Sequence, residues 1–461
     1  AAATARSIIM KYKILLPKQI HKILEKIEKS GEEAYIIGGC VRDSLLGKTP
    51  QDFDIATSAI PKKIKEIFCG EKITETGIKH GTITVIYEGI PAEITTYRTE
   101  SEYSDGRHPD SVDFTSSLFD DTARRDFTIN ALAYSDSTGL VDFHGGIRDI
   151  ESRTIRCVGS PEKRFAEDAL RIMRAIRFAS VLGFEIEKNT SEAIHSMSKL
   201  LSKISTERIA GELSKLICGS DAKKILLEYP DVIITILPEL VPIVGFDQKN
   251  YHHIYDVYTH SIVALDAVRP YLPLRLSALL HDCGKPACFT LDENGVGHFK
   301  GHPEVSADIS DAILRRLKFD NQTRKLVVTL VRNHDRQIEP TDKAVKKAMG
   351  KLTPEIFFLL LELKRADNLA QAPQYRERLI LCDRLEQIAK KILSDKECIN
   401  RKSLAVNGHD LIEAGITDGK TIGLILSLLL DEVIDKSTEN RKLPLIERAG
   451  QIAENLKKKD L

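Results

Sequence analysis

The stretch that begins at Tyr35 constrains the fold of this chain more than any other, and it reads Tyr-Ile-Ile-Gly-Gly-Cys-Val-Arg-Asp-Ser-Leu-Leu-Gly. A short apolar segment ends in two glycines and is followed by apolar residues with helical spacing at Val41, Leu45 and Leu46. This pattern predicts a strand, a tight turn and a helix. Glycine lets a backbone approach an anion closely, and the free N–H groups at a helix N-terminus favour negative charge. The sequence therefore predicts a phosphate-binding turn.

Two aspartates, Asp52 and Asp54, follow this turn in the segment Asp-Phe-Asp-Ile-Ala-Thr. Phe53 and Ile55 alternate with them, so on a strand both carboxylates project from the same face. Such a pair can share divalent metal. Two Mg²⁺ ions can activate an attacking hydroxyl and stabilise a leaving pyrophosphate, as a polymerase-type nucleotidyl transfer requires. Glu93 lies on a later predicted strand, where it is either a third acidic group near the pair or an exposed carboxylate.

The glycine turn and the aspartate segment together resemble the head domain of the DNA polymerase beta nucleotidyltransferase superfamily. Within it, the chain is similar to the class II tRNA nucleotidyltransferases (CCA-adding enzymes) and to their relatives, the bacterial poly(A) polymerases. This resemblance implies an α+β fold, in which a head with a mixed or antiparallel sheet is followed by an all-α neck. It implies that Asp52 and Asp54 are catalytic ligands of Mg²⁺. It assigns triphosphate binding to Gly38, Gly39 and Arg42.

A second signature of the same family begins at Arg124 and reads Arg-Arg-Asp-Phe-Thr-Ile-Asn-Ala-Leu-Ala. Paired Arg124 and Arg125 can hold phosphates with two hydrogen bonds each. Asp126 and Asn130 are four residues apart, one turn of a helix, and can address a ribose hydroxyl. The resemblance assigns ribose recognition to this segment, whereas an ion-paired helix start at the surface is the structural alternative.

Residues 164–178 have the spacing of one amphipathic helix. At about 100° per residue, apolar side chains fall on one face and a polar stripe falls on the opposite face. The stripe contains Arg164, Glu167, Asp168 and Arg171. A rigid aspartate and arginine can hydrogen-bond the Watson–Crick edge of a base, but the same spacing also suits an ordinary ladder of ion pairs. Glu167, Asp168 and Arg171 resemble the motif with which class II enzymes select CTP and ATP without a template.

Further residues are assigned to this pocket or to its surroundings. Arg208 and Glu212 are predicted to brace their helix as an i,i+4 pair. Residues 100–110 are polar, lack periodicity and predict a mobile loop with Asp105 and Arg107, which the family uses when the terminal A is added. The pocket-supporting residues implied by the resemblance are Arg164, Arg174, Glu207, Arg208 and Glu212.

A second group of residues with metal-binding chemistry begins near Tyr251. Imidazole and carboxylate ligands from separate helical segments are what a catalytic metal site needs. The order of these residues resembles HD-superfamily phosphohydrolases, a domain that some class II tRNA nucleotidyltransferases carry. The resemblance implies a divalent metal (Mg²⁺, Mn²⁺, Ni²⁺ or Co²⁺) and hydrolysis of 2′,3′-cyclic phosphates or phosphomonoesters, with Lys285 near the phosphate; the alternative is an inherited structural remnant. The ligand set is His260, His281, Asp282 and Asp367, with His302 and His334 as further candidates.

The composition suits a multidomain protein of the cytoplasm. At 461 residues the chain is long enough for several cores. Lys plus Arg and Asp plus Glu both number 67, so an RNA site must be a local basic surface, with candidates at 390–391, 401–402 and 457–459. The eight cysteines form no C-x-x-C pair, which suits a reduced compartment. No segment is apolar enough to predict a membrane span, and a homo-oligomer is left open. The predicted domains are a head at 11–150, a neck at 151–245, an HD domain at 246–380 and a C-terminal helical tRNA-binding region at 381–461.

These motifs together predict Mg²⁺-dependent, template-independent addition of C, C and A to tRNA 3′ ends from CTP and ATP, with release of pyrophosphate. Alternatives within the family are a poly(A) polymerase and an enzyme that adds only CC or only A. The loop that contains Asp105 argues against a CC-only enzyme. No Gly-[Arg/Lys]-[Arg/Lys]-Phe segment like that of the bacterial poly(A) polymerases is present. An RNA-binding module without catalysis is an alternative of another class, against which the intact Asp52 and Asp54 argue.

Overall fold

The computed structural model describes residues 7–9, 12–50, 52–75, 77–100 and 112–459. The chain divides into two compact units, of which the first ends at Pro238 and the second begins at Glu239. Each unit contains its own cluster of buried apolar side chains. The predicted division into four domains is finer than these two units and stays a prediction.

A mixed sheet lies at the centre of the N-terminal unit. Its strands, and those of two small ladders, are β1 (Ser7–Ile9), β2 (Ala34–Ile37), β3 (Asp54–Thr57), β4 (Lys72–Thr74), β5 (Thr82–Tyr87), β6 (Ile90–Thr96), β7 (Arg98–Glu100), β8 (Val112–Phe114), β9 (Ala133–Ser135), β10 (Gly139–Asp142), β11 (Thr154–Ile155) and β12 (Glu185–Ile186). Eight of them form the sheet, in the order β1-β10-β9-β2-β3-β6-β5-β4. β3 and β6 pair in parallel, whereas β2 with β3 and β5 with β6 are antiparallel. The predicted mixed sheet is confirmed, and β5 and β6 form a hairpin.

Helices alternate with these strands and then continue without them. They are α1 (Lys18–Glu28), α2 (Gly39–Leu45), α3 (Pro61–Ile67), α4 (Leu118–Ala123), α5 (Gly146–Glu151), α6 (Pro161–Glu167), α7 (Leu170–Leu182), α8 (Lys188–Met197), α9 (Thr206–Ile217), α10 (Ala222–Glu228) and α11 (Pro230–Ile236), with 3₁₀ segments at Ile78–His80, Thr128–Asn130, Ser198–Lys203 and Pro238–Ile243. Because α2 starts directly after β2, the predicted strand, turn and helix are confirmed. Gly38 in the turn has φ 83° and ψ −130°, which a residue with a Cβ adopts only under strain.

The prediction of one helix over residues 164–178 is wrong, because the helix is interrupted at Asp168. α6 ends at Glu167 and α7 begins at Leu170, while Asp168 is extended at φ −143° and ψ 103°. The Asp168 carboxylate accepts a hydrogen bond from the N–H of Leu170 at 3.0 Å. Aspartate can replace helical backbone bonding in this way. The polar stripe therefore lies at a junction between two helices.

The C-terminal unit consists mainly of helices. They are α12 (Val257–Ala267), α13 (Leu272–Leu280), α14 (His302–Arg316), α15 (Asn321–Asn333), α16 (Asp342–Leu352), α17 (Pro354–Leu369), α18 (Arg378–Ser394), α19 (Gly408–Glu413), α20 (Gly419–Ile434) and α21 (Lys442–Lys459), with a hairpin of β13 (Thr290–Leu291) and β14 (Gly297–His298) and 3₁₀ segments at Pro286–Cys288, Pro373–Tyr375 and Arg401–Ser403. Among the described residues, we find no helix whose length and hydrophobicity would let it cross a bilayer. The sheet of the first unit and the helices of both confirm the predicted α+β class.

Capping residues explain where several site-bearing helices begin. The Ser160 hydroxyl accepts from the N–H of Lys163 at the start of α6, with Pro161 at the first helical position. The Asp256 carboxylate accepts from the N–H of Thr259 at 3.1 Å and starts α12. Such caps satisfy N–H groups that have no partner inside the helix. The polar residue ahead of each apolar run thus fixes the register of the side chains that follow.

Candidate functional site

Asp54 occupies the first position of β3, beside a strand that carries Glu93. The two strands are parallel with Asp54 opposite Glu93, so their side chains leave the sheet on the same side. Asp52 precedes the strand, so the prediction that both aspartates lie on one strand is wrong. Because Glu93 is the register partner of Asp54, the structure favours its interpretation as a third acidic group.

The electrostatic setting of Asp54 suits a bound cation. Burial raises the pKa of Asp54 above its ordinary value against the opposing charge of Arg125, and the nearby Asp52 adds to the increase. Neighbouring carboxylates that disfavour each other's charge are stabilised by a cation, and carboxylate oxygens are the ligands that Mg²⁺ prefers. The donor set therefore fits the expected Mg²⁺.

Two arginines lie against the glycine turn. A Cβ on Gly38 would lie 3.1 Å from Nη1 of Arg125, and a Cβ on Gly39 would lie 3.6 Å from Nη2 of Arg42. Gly38 is therefore required both by its positive φ and by the closeness of Arg125. Two guanidinium groups beside an open backbone turn favour an anion such as a phosphate.

A chain of hydrogen bonds connects this turn to α7. Arg42 Nη1 donates to Asn130 Oδ1 at 2.6 Å, and Asn130 Nδ2 donates to Asp126 Oδ1 at 3.1 Å. Arg174 Nε then donates to Asp126 Oδ2 at 2.8 Å. Burial opposes the shift, but Arg174 and Asn130 lower the pKa of Asp126 to about 2. Asp126 and Asn130 meet across a 3₁₀ turn, so the prediction of one α-helical turn between them is wrong.

Asp121 positions the two arginines of the second signature. Nη2 of Arg124 lies 2.7 Å from Oδ1 of Asp121, and Nη2 of Arg125 lies 3.5 Å from Oδ2 of Asp121. The Asp121 side chain is only 1% exposed, so a buried carboxylate holds both guanidinium groups. Asp121 is not among the site residues expected from the sequence, although it precedes the arginines at i,i+3 and i,i+4 spacing.

Phe178 packs against three guanidinium groups. The Cζ atoms of Arg42, Arg174 and Arg177 lie 4.9, 5.4 and 3.5 Å from its ring centroid, where the ring face attracts cations. Nε of Arg177 also donates to Oε2 of Glu212 at 2.7 Å. Arg177 and Phe178 are not among the site residues expected from the sequence, although Arg174 and Arg177 follow each other at helical spacing.

The residues expected to select the base are fixed at the junction of α6 and α7. Nη2 of Arg208 lies 2.7 Å from Oδ2 of Asp168. Nη1 of Arg171 lies 2.6 Å from Oε2 of Glu167, and Nη2 of Arg164 lies 2.7 Å from Oε1 of the same Glu167. Asp168 and Arg171 are thus each held by a separate ion-pair partner.

The predicted brace between Arg208 and Glu212 is wrong, because each has a partner on another element. Arg208 pairs with Asp168, and Glu212 pairs with Arg177 at 2.7 Å and with Arg174 at 3.8 Å. These bonds join α9 to α7 and to the junction that precedes it.

Glu207, which was also expected to support the pocket, lies exposed in the first turn of α9. Asp105 and Arg107 of the expected loop lie outside the described residues.

In the C-terminal unit, four histidines surround one aspartate. His260, His281, His302 and His334 are at most 7% exposed. Their Nδ1 atoms lie 3.3, 2.8, 2.8 and 2.6 Å from backbone carbonyl oxygens. Because a carbonyl only accepts, each Nδ1 donates, so in the neutral ring it is Nε2 that carries the lone pair with which the histidine can bind a metal ion.

The Nε2 atoms approach the Asp282 carboxylate from two sides. His260 and His281 lie 3.4 and 3.2 Å from Oδ2. His302 and His334 lie 3.2 and 3.5 Å from Oδ1. Nitrogen and carboxylate donors in this number suit divalent transition metals. Two sets of donor atoms each lie within 4.8 Å of one another, namely His260, His281 and Asp282, and Asp282, His302 and His334.

Asp367 and Lys285 complete this cluster. Oδ1 of Asp367 lies 3.0 Å from Nε2 of His260, and Nζ of Lys285 lies 2.7 Å from Oδ2 of Asp282. Burial alone would lower the pKa of His281, but Asp282 and Asp367 raise it to about 10. The structure therefore brings all the expected ligand residues of the second site together.

Gly284 explains how α14 comes so close to this cluster. A Cβ at Gly284 would lie 2.6 Å from the backbone N of Ser306 and 3.0 Å from the carbonyl O of His302. The N–H of Gly284 donates to the Ser306 hydroxyl at 2.9 Å. A larger residue would push away the helix that carries His302.

The chain matches three family models. The "Poly A polymerase head domain" covers residues 34–156, and the "Probable RNA and SrmB-binding site of polymerase A" covers residues 183–242. The "tRNA nucleotidyltransferase domain 2" covers residues 304–449. The first match contains the aspartates and the glycine turn described above.

Whole-chain comparisons agree with these matches. The CCA-adding enzyme of Ligilactobacillus salivarius is 36% identical over 448 residues, which cover 95% of this chain and 97% of that protein. The CCA-adding enzyme of Levilactobacillus brevis is 35% identical and covers 92% of this chain and 95% of its own length. The crystal structure of the Bacillus stearothermophilus CCA-adding enzyme in complex with CTP aligns with a TM-score of 0.71 and 28% identity, over 96% of this chain and 100% of that chain. The Thermotoga maritima CCA-adding enzyme complexed with tRNA shares the fold, with a TM-score of 0.57 and 21% identity over 95% of this chain and 96% of that chain. The chain therefore belongs to the CCA-adding enzymes, a family of tRNA nucleotidyltransferases.

Proposed function

We propose that the N-terminal unit adds C, C and A to tRNA 3′ ends from CTP and ATP without a nucleic-acid template. The observation that carries this proposal is the position of Asp54, which lies opposite Glu93 in the sheet and is influenced by the charges of Asp52 and of Arg125, the arginine that lies against the Gly38 turn. Acidic and basic groups of this kind suit a metal ion and a triphosphate at one site. The family to which the chain belongs supports the same reaction.

Each part of the site has a role in this reaction. The 3′ hydroxyl of the tRNA gives up its proton to solvent and attacks the α-phosphorus of the nucleotide, a new P–O bond forms, and the bond to the leaving pyrophosphate breaks. Asp52 and Asp54 would hold Mg²⁺, which supplies activation of the hydroxyl and stabilisation of the leaving pyrophosphate when bound. Arg42 and Arg125 bind the triphosphate beside the glycine turn, and the Asp126–Asn130 pair orients the ribose.

Base selection belongs to the junction of α6 and α7. Asp168 accepts hydrogen bonds and Arg171 donates them, so together they match the edge of a cytosine or an adenine. Arg208 and Glu167 hold these two side chains by ion pairs of 2.7 and 2.6 Å. Rigid positioning lets the hydrogen bonds discriminate between bases, because a wrong base leaves buried polar groups unpaired.

The test incubates the purified chain and Mg²⁺ with tRNA that lacks CCA and with tRNA that ends in CC, first with each nucleotide separately and then with CTP and ATP together, and sequences the 3′ ends. Full CCA ends from the mixture are expected. Ends that stop at CC, ends extended only when CC is already present, or long A tracts would instead identify a CC-adding enzyme, an A-adding enzyme or a poly(A) polymerase. Binding without any extension would reduce the chain to an RNA-binding module.

We further propose that the histidine cluster of the C-terminal unit hydrolyses a phosphate ester, either a 2′,3′-cyclic phosphate or a phosphomonoester. The supporting observation is the arrangement of four buried Nε2 atoms around Asp282. A divalent metal held by these residues would supply activation of water and neutralisation of the phosphate charge. In the reaction, the water oxygen bonds to phosphorus, the ester P–O bond breaks, and the alcohol leaves with a proton. Lys285, which pairs with Asp282 at 2.7 Å, would contact the phosphate.

This second activity is tested with 2′,3′-cyclic AMP and p-nitrophenyl phosphate in the presence of Mg²⁺, Mn²⁺, Ni²⁺ or Co²⁺. Metal-dependent turnover is expected from the wild type but not from the protein with His281→Ala and Asp282→Ala. His298→Ala, at an exposed histidine of the same unit, serves as the matched control. Absence of turnover by the wild type with every metal would make the cluster a structural remnant.

A further inference from the structure

Arg125, which is proposed to bind the triphosphate, is held by the buried carboxylate of Asp121. Nη2 of Arg125 lies 3.5 Å from Oδ2 of Asp121, and no other carboxylate in the described part of the chain forms an ion pair with this arginine. Nε of Arg125 is buried and has no hydrogen-bond partner among the described residues. The guanidinium group lies against the Gly38 turn, where a Cβ would be 3.1 Å from Nη1. The orientation of this guanidinium group therefore depends on the charge of Asp121.

The two carboxylate oxygens of Asp121 have different partners. Oδ1 accepts from Nε of Arg124 at 3.1 Å, from Nη2 of Arg124 at 2.7 Å and from the N–H of Arg98 at 3.3 Å. Oδ2 faces Arg125 and accepts no hydrogen bond from the described residues. Burial alone would raise the pKa of Asp121, but the charges of Arg124 and Arg125 lower it, so the carboxylate is ionised at neutral pH. One oxygen thus joins α4 to β7, and the other acts on Arg125 through its charge.

The backbone that carries Arg125 is held by other groups. Nη1 of Arg164 and Nη2 of Arg171 donate to the carbonyl oxygens of the two residues before Arg125, each at 3.2 Å. Neither bond involves the Asp121 side chain. A change confined to Oδ2 of Asp121 should therefore move the side chain of Arg125 and leave both the backbone and the base-selecting Arg171 in place.

We infer that Asp121 is a positioning residue for nucleotidyl transfer, which sets the affinity for the triphosphate through Arg125 and not by contact with the nucleotide. A guanidinium group gives two aligned hydrogen bonds to a phosphate only when its plane is held in one orientation. Since all four nucleotides carry the same triphosphate, Asp121 affects each of them equally and contributes nothing to base selection. This inference rests on the proposed nucleotidyl transfer and deepens it by assigning the residue that orients Arg125.

Asp121→Asn changes one oxygen of the carboxylate selectively. The three donors around Oδ1 require an acceptor, so the amide oxygen stays on their side and the NH₂ group faces Arg125. The variant therefore keeps the contacts of α4 and β7 and places a donor against the guanidinium group.

We expect Asp121→Asn to raise KM for CTP and for ATP about tenfold each, the effect of one charge-assisted hydrogen bond. The value of kcat should change by less than about threefold, because Arg125 contacts the triphosphate already in the ground state. The ratio of kcat/KM for UTP to that for CTP should stay the same. Asp311→Asn is the matched control, since Asp311 also lies between two arginines, Arg315 and Arg324, in the C-terminal unit. A change in base selection without a rise in KM would overturn the inference.

A double-mutant cycle shows whether Asp121 acts through Arg125. In the Arg125→Gln background, Asp121→Asn should raise KM for CTP by less than about twofold, because the side chain that it orients is gone. Equal increases in both backgrounds would show a purely structural role and overturn the inference. Asp121→Glu keeps the charge but extends it by one methylene, and it should raise KM at least about threefold in the same cycle. Thermal unfolding of each variant shows which of the two substitutions the fold accepts.

Inorganic tripolyphosphate separates this inference from the proposed reaction, because it carries the phosphates without a base or a ribose. Calorimetry without tRNA should show about tenfold weaker binding to full-length Asp121→Asn and Arg125→Gln than to the wild type, and unchanged binding to Asp311→Asn. If the wild type adds no nucleotide but Asp121→Asn weakens this binding, nucleotidyl transfer is wrong and the role of Asp121 stands. If the wild type adds nucleotides but all the proteins bind tripolyphosphate equally, or none binds it, the reaction stands and the role of Asp121 is overturned.

Discussion

The acidic residues of the N-terminal site have opposite electrostatic settings, and these settings separate their roles. Burial raises the pKa of Asp54, and Asp52 adds to that increase against Arg125. The pKa of Asp126 falls to about 2 despite burial, because Arg174 and Asn130 stabilise its charge. Asp54 therefore gains most from a metal ion, whereas the protein already satisfies Asp126.

Substitution of Asp54 should therefore affect catalysis much more than RNA binding. We expect Asp54→Asn to lower the rate of nucleotide incorporation at least about a hundredfold, because a metal ligand stabilises the transition state rather than the bound tRNA. Affinity for tRNA, measured by filter binding, should change by less than about threefold, since it depends on contacts with the phosphate backbone. Glu66→Gln on α3 is the control. Incorporation above about a tenth of the wild-type rate would contradict the assignment.

Asp126 should affect stability, with a defined pH dependence. Its pKa in the fold, about 2, lies below the ordinary value of 3.8, so its charge stabilises the fold above the ordinary pKa. That contribution, about 2 kcal/mol, is lost as the pH falls from about 4 towards 2. We therefore expect Asp126→Asn to lower Tm at pH 7, and the difference from wild type to shrink below pH 4. A difference that is equally large at pH 3 and pH 7 would show that the charge of Asp126 is not responsible.

At the scale of secondary-structure elements, junctions and close contacts decide where the reactive side chains lie. The break between α6 and α7 places Asp168 and Arg171 at a corner, and α9 supplies Arg208 to hold the aspartate. In the C-terminal unit, Gly284 allows α14 to bring His302 against the cluster. Both sites therefore depend on contacts between elements.

The junction of α6 and α7 predicts which substitutions relax the selection of CTP and ATP. Asp168→Ala or Arg171→Ala should raise kcat/KM for UTP and GTP relative to CTP and ATP about tenfold or more, with a smaller change in affinity for the triphosphate. Arg208→Ala should relax selection in the same direction, because it frees Asp168. Steady-state kinetics with all four nucleotides measure this, and Glu192→Gln on α8 is the control. If selectivity is unchanged in all three variants, these ion pairs serve the fold alone.

The close contact at Gly284 predicts a defect in the second site alone. Gly284→Ala places a Cβ 2.6 Å from Ser306 N, so α14 has to move. We expect a loss of about 1–3 kcal/mol in stability and weaker Mn²⁺ or Ni²⁺ binding, measured by thermal unfolding and calorimetry. Gly423→Ala in α20, where a Cβ meets nothing within 4 Å, is the matched control and should do neither. Normal metal affinity in Gly284→Ala would show that α14 does not set the ligand geometry.

At the scale of the whole molecule, the two compact units each contain one candidate site. Because each has its own core, damage to one site should leave the other working. The protein with His281→Ala and Asp282→Ala should lose phosphoester hydrolysis and retain CCA addition within about twofold, and Asp54→Asn should do the reverse. Both activities are measured on the same preparations. Loss of both activities from either variant would show that the two units depend on each other.

The sequence predicted features that depend on local periodicity, and it failed where packing between elements decides. The strand, turn and helix around Gly38 and the mixed sheet follow from apolar spacing and glycine chemistry. The break at Asp168 was not predictable, because the apolar pattern continues through Ala169 and hides it. The pairing of Arg208 with Asp168 instead of Glu212 depends on how α9 packs, which spacing within one helix does not report. The order of the histidines suggested a common site, but it contained no information about their hydrogen bonds.

The hydrogen bonds of the four histidines affect whether the C-terminal unit needs a metal ion in order to fold. Three of the histidines bind, through Nδ1, the carbonyl three residues earlier, and the fourth binds the carbonyl of Ala370. Ligands oriented by the backbone do not have to fold around an ion, unlike the ligands of a zinc finger. We therefore expect the unit to stay folded during metal starvation and to escape the quality-control proteases that remove unfolded chains. If the proposed hydrolysis is correct, metal supply would control when the unit is active and would leave its abundance unchanged.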